Sequence, residues 1–259
     1  LKDTSFPCLA SGREPSDERR LVMEIRSDFG RRAFLRRGGL LLAVSLAGCA
    51  HPMKPAKDEG KEGTGISPPE DLMREHGVLR RILLIYEESI RRIDTDEALP
   101  LDSVADASGI IHDFVENYHE KLEEDFLFPR FKKAGTLTDL VNVLTKQHNA
   151  GKRLTKTTLS ASEKKGPLSP EDRSRLKESM HRFIRMYRPH ASREDTVLFP
   201  EFRKIVPPRE FEELGEEFEE REDKAFGKDG FFKVVGRVEM IEKRLGIFDL
   251  QEFTPVSVL

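Results

Sequence analysis

The chain is 259 residues long, 35% charged, carries a formal net charge of −3 and contains no tryptophan. Charge so nearly balanced excludes the concentrated basic face that nucleic-acid binding requires. With 37% hydrophobic residues and a mean hydropathy of −0.54, the composition fits a helical protein with heavily charged outer faces, long enough for one good-sized domain plus extensions.

The first third does not read as fold material. Gly30-Arg31-Arg32-Ala33-Phe34-Leu35-Arg36 resembles a twin-arginine export signal. The apolar stretch after it, Leu40 to Leu46, is too short to span a bilayer as a mature helix. It ends in Leu46-Ala47-Gly48-Cys49, which resembles the lipobox of bacterial lipoproteins and implies cleavage before Cys49 and lipidation of its thiol. The order and spacing of the two motifs predict an exported, membrane-anchored lipoprotein on the periplasmic or extracytoplasmic side. Met23 lies a short basic stretch before Arg31, so residues 1–22 read as an over-extended translation start that contains Cys8. With Cys8 outside the mature chain and Cys49 lipidated, no thiol remains for a disulfide or a cysteine metal site. Residues 50–66, rich in Lys, Gly and Pro, form a tether in which His51 is an exposed linker residue.

From Ser67 the pattern becomes helical. Ser67-Pro68-Pro69-Glu70 combines an N-cap serine, an early proline and a glutamate three residues on. A first helix runs to about Ile93, with Leu72, His76, Leu79, Leu83, Tyr86 and Ile90 on one stripe. A second, from about Ser103, is expected to stop at Pro129. The third begins near Thr136 and aligns Leu137, Val141, Leu144, His148 and Gly151. A fourth opens at Ser169-Pro170-Glu171-Asp172, carries Leu176, Met180, Phe183, Tyr187, His190, Glu194 and Val197 in four-three alternation, and is expected to end before Pro200. Four amphipathic helices with short connections predict an all-α, up-down-up-down four-helix bundle over residues 67–206.

The bundle repeats internally. Leu127-Phe128-Pro129 recurs as Leu198-Phe199-Pro200 at an offset of 71, which also takes His119 to His190, Glu123 to Glu194 and Glu124 to Asp195. An offset of 72 takes His76 to His148. Four of the seven histidines thus occupy matched positions, one per helix, each within an apolar stripe. A single such histidine reads as a buried ring satisfied by a carbonyl or a carboxylate. Four around one axis would require several polar rings and carboxylates to satisfy one another in a low-dielectric interior, a cost that a metal removes by accepting their lone pairs. His119 with Glu123 and His190 with Glu194 stand at i and i+4, one turn and about 6 Å apart along the helix, so two converging pairs can span two metal ions. Imidazole and carboxylate without thiolate suit iron or manganese and also permit zinc. A ferritin-like pattern of Glu-x-x-His fits only at Glu116 and His119 and fails on three of the four helices.

Glu75-His76-Gly77-Val78-Leu79, Tyr118-His119-Glu120-Lys121-Leu122-Glu123-Glu124 with Leu127-Phe128-Pro129, Gln147-His148, and His190 through Glu194-Asp195 with Leu198-Phe199-Pro200 resemble the hemerythrin-like, HHE cation-binding family over residues 67–205. The resemblance implies a di-iron centre ligated by His76, His119, Glu123, His148, His190 and Glu194. It departs from the oxygen carriers of that family in having Lys152 one turn after His148, where they have a further histidine. Asp195 keeps their five-residue spacing from His190, while Glu194 keeps the His-x-x-x-Glu form. The site is thereby poorer in histidine, with Glu120, Glu116, Glu75 and Asp195 as candidates for additional metal ligation. An open, carboxylate-rich iron site points away from simple reversible oxygen carriage. It points toward binding of oxygen, nitric oxide or iron for sensing, scavenging or storage, or alternatively toward a di-iron oxidoreductase acting on nitric oxide, peroxide or oxygen.

Of the remaining polar candidates, His112, two turns before His119, reads as a core or outer hydrogen-bonding residue, and His181 as solvent-facing. Tyr86, Tyr118 and Tyr187 fall in the bundle. A fifth helix opened by Pro207 and Pro208 has Phe211, Leu214 and Phe218 on its stripe, and nine of the fourteen residues from Glu210 to Asp223 are acidic, which reads as a solvated face. A sixth, Phe231 to Leu245, is expected to bury Val234, Val235, Val238 and Ile241; residues 207–259 make a C-terminal helical extension.

Overall fold

The computed structural model describes residues 66–255, and among these every regular element is helical. The export motif, Cys8, Cys49 and His51 lie outside the described residues. No helix among those described is long and apolar enough to cross a membrane.

Helix α1 spans Pro68–Asp94 and opens as its sequence predicts. The Glu70 carboxylate accepts from both the backbone N–H and the hydroxyl of Ser67, at 3.0 and 2.7 Å. Helix α2 is a continuous rod over residues 101–134, α3 spans Thr138–Ser162, and α4 is a second rod over residues 170–205. Ser169 caps α4 by accepting from the Asp172 N–H at 3.1 Å. Helix α1 packs against α2 and α4, and α3 packs against the same two, so the four enclose one core. Tyr86, Phe114, Phe128, Phe183, Tyr187 and Phe199 are among its fully buried side chains.

Two expectations about proline are corrected. The second helix does not stop at Pro129 but runs to Ala134, where Gly135 ends it in the left-handed region at φ 68°. The fourth passes through Pro200 to Ile205. The reason lies just upstream in both: residues Glu123–Leu127 and Glu194–Leu198 are single π-helical turns, in which the Phe128 N–H reaches back to the Glu123 carbonyl and the Phe199 N–H to that of Glu194. The wider turn accommodates the proline ring and its missing donor without breaking the rod. A longer π segment, Ile111–His119, precedes the first of these. It also corrects the reading of His112. A wider helical turn does not return to the same face after seven residues, and His112 is exposed, bonded to Asp113 and Asn117 rather than placed behind His119. His181 is exposed as expected.

The extension folds as α5, Pro208–Phe226, and α6, Gly230–Leu245. Phe211, Leu214 and Phe218 bury the apolar stripe of α5; Val234, Val238 and Ile241 do so on α6, while Val235 is only partly buried. Both pack on α1, and Arg81 of α1 donates to the buried Glu242 of α6 at 2.8 Å.

Candidate metal centre

Each bundle helix brings one histidine to a common buried point. His76 sits a third of the way along α1, His119 at the end of the long π segment of α2, His148 in α3 and His190 in α4, all between 0 and 4% exposed. Glu123 and Glu194 each begin one of the short π turns, and both are wholly buried. A π turn re-aims the side chains around it, so the bulge that accommodates Pro129 and Pro200 also coincides with the carboxylate that faces the centre.

The two carboxylates lie between the rings. Glu123 is 3.7 Å from His119 Nε2 and 3.4 Å from His148 Nε2; Glu194 is 3.3 Å from His76 Nε2 and 3.1 Å from His190 Nε2. Ligand atoms of Glu123, His148, His190 and Glu194 all lie within 4.8 Å of one another, and so do those of His76, His119 and Glu123. The arrangement therefore offers two adjoining donor sets that share a carboxylate.

Around this inner ring, every Nδ1 has an acceptor. Asp195 takes that of His76 at 2.6 Å, Glu124 that of His148 at 3.1 Å, Glu75 that of His119 at 2.7 Å and Gln147 that of His190 at 2.8 Å. These acceptors obey the repeat: Glu124 and Asp195 are matched, and Glu75 and Gln147 each precede the histidine of their own helix. An acceptor on Nδ1 fixes the tautomer and presents the Nε2 lone pair inward, the arrangement that metal-ligating histidines use. The repeated phenylalanines complete the pattern, since Phe128 stacks on His148 at 5.5 Å and Phe199 on His76 at 5.6 Å.

The inner atoms fit a metal by their lack of alternatives. His76 Nε2, His148 Nε2, both oxygens of Glu123 and both of Glu194 are buried without a hydrogen-bond partner. So many orphaned lone pairs in one place is a cost that a natural core does not ordinarily carry. The electrostatics express the same crowding. Burial alone would pull the His76 imidazolium down, but Asp195 and Glu194 reverse this and hold it up at about 10. His148 behaves alike between Glu123 and Glu124, also reaching about 10. Burial wins at His119, which falls to about 4. At Glu194 burial pushes upward, and His190 and His76 more than offset it, holding the carboxyl well below its usual range.

The other sequence candidates stand outside the inner ring. Asp195 and Glu75 orient rings through Nδ1, and Asp195 is itself paired with Arg80. Glu120 accepts from the Tyr187 hydroxyl at 2.6 Å and lies 3.3 Å from Lys152 Nζ. Glu116 is buried near Thr155, and desolvation pushes its carboxyl up. Lys152, at the position where oxygen carriers have a histidine, bridges Glu120 and Glu124 at 3.3 and 3.4 Å. Sequence reasoning missed the roles of Gln147 and Glu124 as ring acceptors, although their positions within the repeat carried the signal. It also missed Glu222, which lies in the acidic run yet is 5% exposed.

The hemerythrin HHE cation-binding domain matches residues 67–202. Uncharacterized proteins of Mycobacterium bovis and of two strains of Mycobacterium tuberculosis are each 43% identical over 217 residues, covering 82% of this chain and 85% of theirs. No solved structure matches. The chain belongs to the hemerythrin HHE cation-binding family.

Proposed function

We propose that this chain is a membrane-tethered, non-haem iron protein whose four bundle helices run up-down-up-down. It holds two iron ions on His76, His119, His148 and His190 with Glu123 and Glu194, and it binds oxygen, nitric oxide or iron itself for sensing, scavenging or storage. The observation that carries this reading is the cluster of buried, unpartnered atoms, His76 and His148 Nε2 with both oxygens of Glu123 and Glu194, among four histidines that are all held from behind through Nδ1. Iron bound there supplies a redox-active Lewis acid able to coordinate a diatomic ligand. The chain's own part is to offer nitrogen and oxygen donors without thiolate, to balance the metal charge with two carboxylates, and to exclude water. A groove of about 340 Å³ between α1 and α4, lined by Leu79, Leu83, Leu84, Ala191 and Tyr187 together with Arg80, Arg188 and Ser192, runs up to Tyr187, whose ring neighbours that of His190. Export and lipidation at Cys49 rest on the sequence motifs alone.

Anaerobic reconstitution with ferrous iron tests the reading. It expects two iron ions per chain, fewer in Glu123→Ala or Glu194→Ala; fewer than one in the unaltered protein overturns it. A second reading, a di-iron oxidoreductase acting on nitric oxide, peroxide or oxygen, is favoured by Tyr187. Its ring lies 5.2 Å from that of His190, and its hydroxyl bonds to Glu120 beside Lys152, a chain of groups able to pass protons. Steady-state consumption of one of these substrates with an electron donor supports it; a spectral change without turnover excludes it.

A further inference from the structure

Beyond the histidine ring, α1, α2 and α5 bring a second set of oxygen ligands together. Asp71, Glu75 and Glu222, each at least 95% buried, place carboxylate oxygens within 4.8 Å of one another. Asp71 bonds to Arg74 at 3.1 Å, one oxygen of Glu75 holds His119, and Glu222 Oε1 accepts from the Phe231 N–H at 3.0 Å. Glu75 Oε1 and Glu222 Oε2 remain buried without a partner. An independent group points to the same spot: the Tyr118 hydroxyl, itself buried and short of a well-formed hydrogen bond, faces all three carboxylates. The second oxygens of Glu75 and Glu222 and the Tyr118 hydroxyl thus converge in the interior without well-formed hydrogen bonds, a cost that a cation between them would remove.

We infer that Asp71, Glu75 and Glu222, with the Tyr118 hydroxyl, form a second cation site, for a hard divalent ion of the calcium or magnesium class. Four oxygens and no nitrogen or sulfur select such an ion over zinc or copper. The three carboxylates are close enough for one ion to take an oxygen from each. Because Glu222 belongs to α5, the ion clamps the C-terminal extension to the bundle. Because Glu75 also holds His119, the same ion fixes one of the acceptors behind the histidine ring.

Terbium, a trivalent ion of similar oxygen preference to calcium, tests this directly, since the chain has three tyrosines and no tryptophan to sensitise its emission. The protein is first loaded with zinc to occupy the histidine ring and then titrated with terbium under tyrosine excitation. The expected result is one sensitised site per chain, displaced by calcium, and weakened by at least about tenfold in Glu222→Gln. Tyr118→Phe is expected to lose the sensitised emission yet keep a calcium-dependent rise in Tm. Asp71→Asn provides a second carboxylate variant should Glu222→Gln fail to fold. Absence of calcium-displaceable emission in the unaltered protein overturns the site. So does emission unchanged in folded Glu222→Gln, which assigns the terbium to the exposed acidic face of α5. Should Glu222→Gln instead raise the Tm with no calcium effect in either protein, the carboxylates share a proton rather than a metal, and the inference is wrong. Zinc uptake is measured separately in the same samples, so failure here leaves the histidine ring untouched.

Discussion

Gly151 lies one turn after His148 with its α-carbon against Tyr187, and its replacement by alanine isolates the packing that supports the centre. A β-carbon there would stand 2.1 Å from the Tyr187 hydroxyl oxygen and 2.9 Å from two ring carbons. The ring cannot swing freely, because it is 1% exposed and packed with its centroid 4.3 Å from that of Phe183 and 5.2 Å from that of His190. Overpacking of this kind costs about 1–3 kcal/mol. Pushing the hydroxyl off Glu120 leaves a buried acceptor unsatisfied, for about 1–3 kcal/mol more. Against these, alanine gains about 1 kcal/mol of helix propensity over glycine. The net expectation is a loss of about 1–5 kcal/mol, or roughly 2–4 °C of Tm for each kcal/mol in a domain of this size. Urea denaturation followed by circular dichroism, with Tyr187→Phe and the double variant alongside, measures it. In the Tyr187→Phe background the 2.1 Å clash is gone and only the two ring contacts at 2.9 Å remain, so Gly151→Ala is expected to cost clearly less than in the unaltered protein. The reasoning fails if Gly151→Ala stabilises the protein, or if its cost is the same in both backgrounds.

Metal loading should stabilise the fold by mass action, about 2.7 kcal/mol at a free ion concentration of one hundred times the Kd. Differential scanning calorimetry is expected to show this for the unaltered protein and not for Glu194→Ala, and a Tm indifferent to iron or zinc counts against the centre. Loading should also release protons. His76 and His148 are held at about 10, against an ordinary value of 6.5, so near pH 7.5 both carry a proton that the ion must displace. An indicator dye in weak buffer should register about two protons per chain, and affinity should rise with pH until about pH 10. The sign for the metal-free fold is the opposite. The stability contributed by these raised imidazoles is fully present below pH 6.5 and is lost as pH climbs through about 10. In the extension, Phe218→Ala should cost about 3–5 kcal/mol, since Phe218 is 0% exposed and packs 5.5 Å from Phe126; a near-neutral effect in chemical denaturation means that α5 is not part of the cooperative unit.

What the sequence made legible followed from two local rules. Period-four-three stripes placed the helices, and a single offset of about 71 residues found His76, His119, His148, His190, Glu123 and Glu194 together, because a pseudo-repeated bundle must present matched positions to its axis. The same offset contained the outer acceptors, but their role was not readable from spacing. Glu124 and Asp195 lie next to the inner carboxylates, and it takes the π-turn geometry to see that one carboxylate faces inward while its neighbour reaches the ring of an adjacent helix. Glu222 was invisible for a different reason: in a run of nine acids, nothing local distinguishes the one that α6 covers.

The repeated Leu-Phe-Pro shows why local rules mislead at such a place. Proline in a helix ordinarily ends it, and on that ground Pro129 and Pro200 read as boundaries. Instead each proline is matched with a π turn directly before it, the turn begins at the inward carboxylate, and the intervening phenylalanine stacks on a histidine of another helix. A residue that breaks the α-helical ladder thus coincides twice with the parts of the chain that must depart from α-helical geometry to face the centre. Had the prolines been mere stops, neither Phe128 nor Phe199 would lie within a continuous rod, and the rings of His148 and His76 would lack the face that holds them. The motif reads as punctuation in one dimension and as a wedge in three.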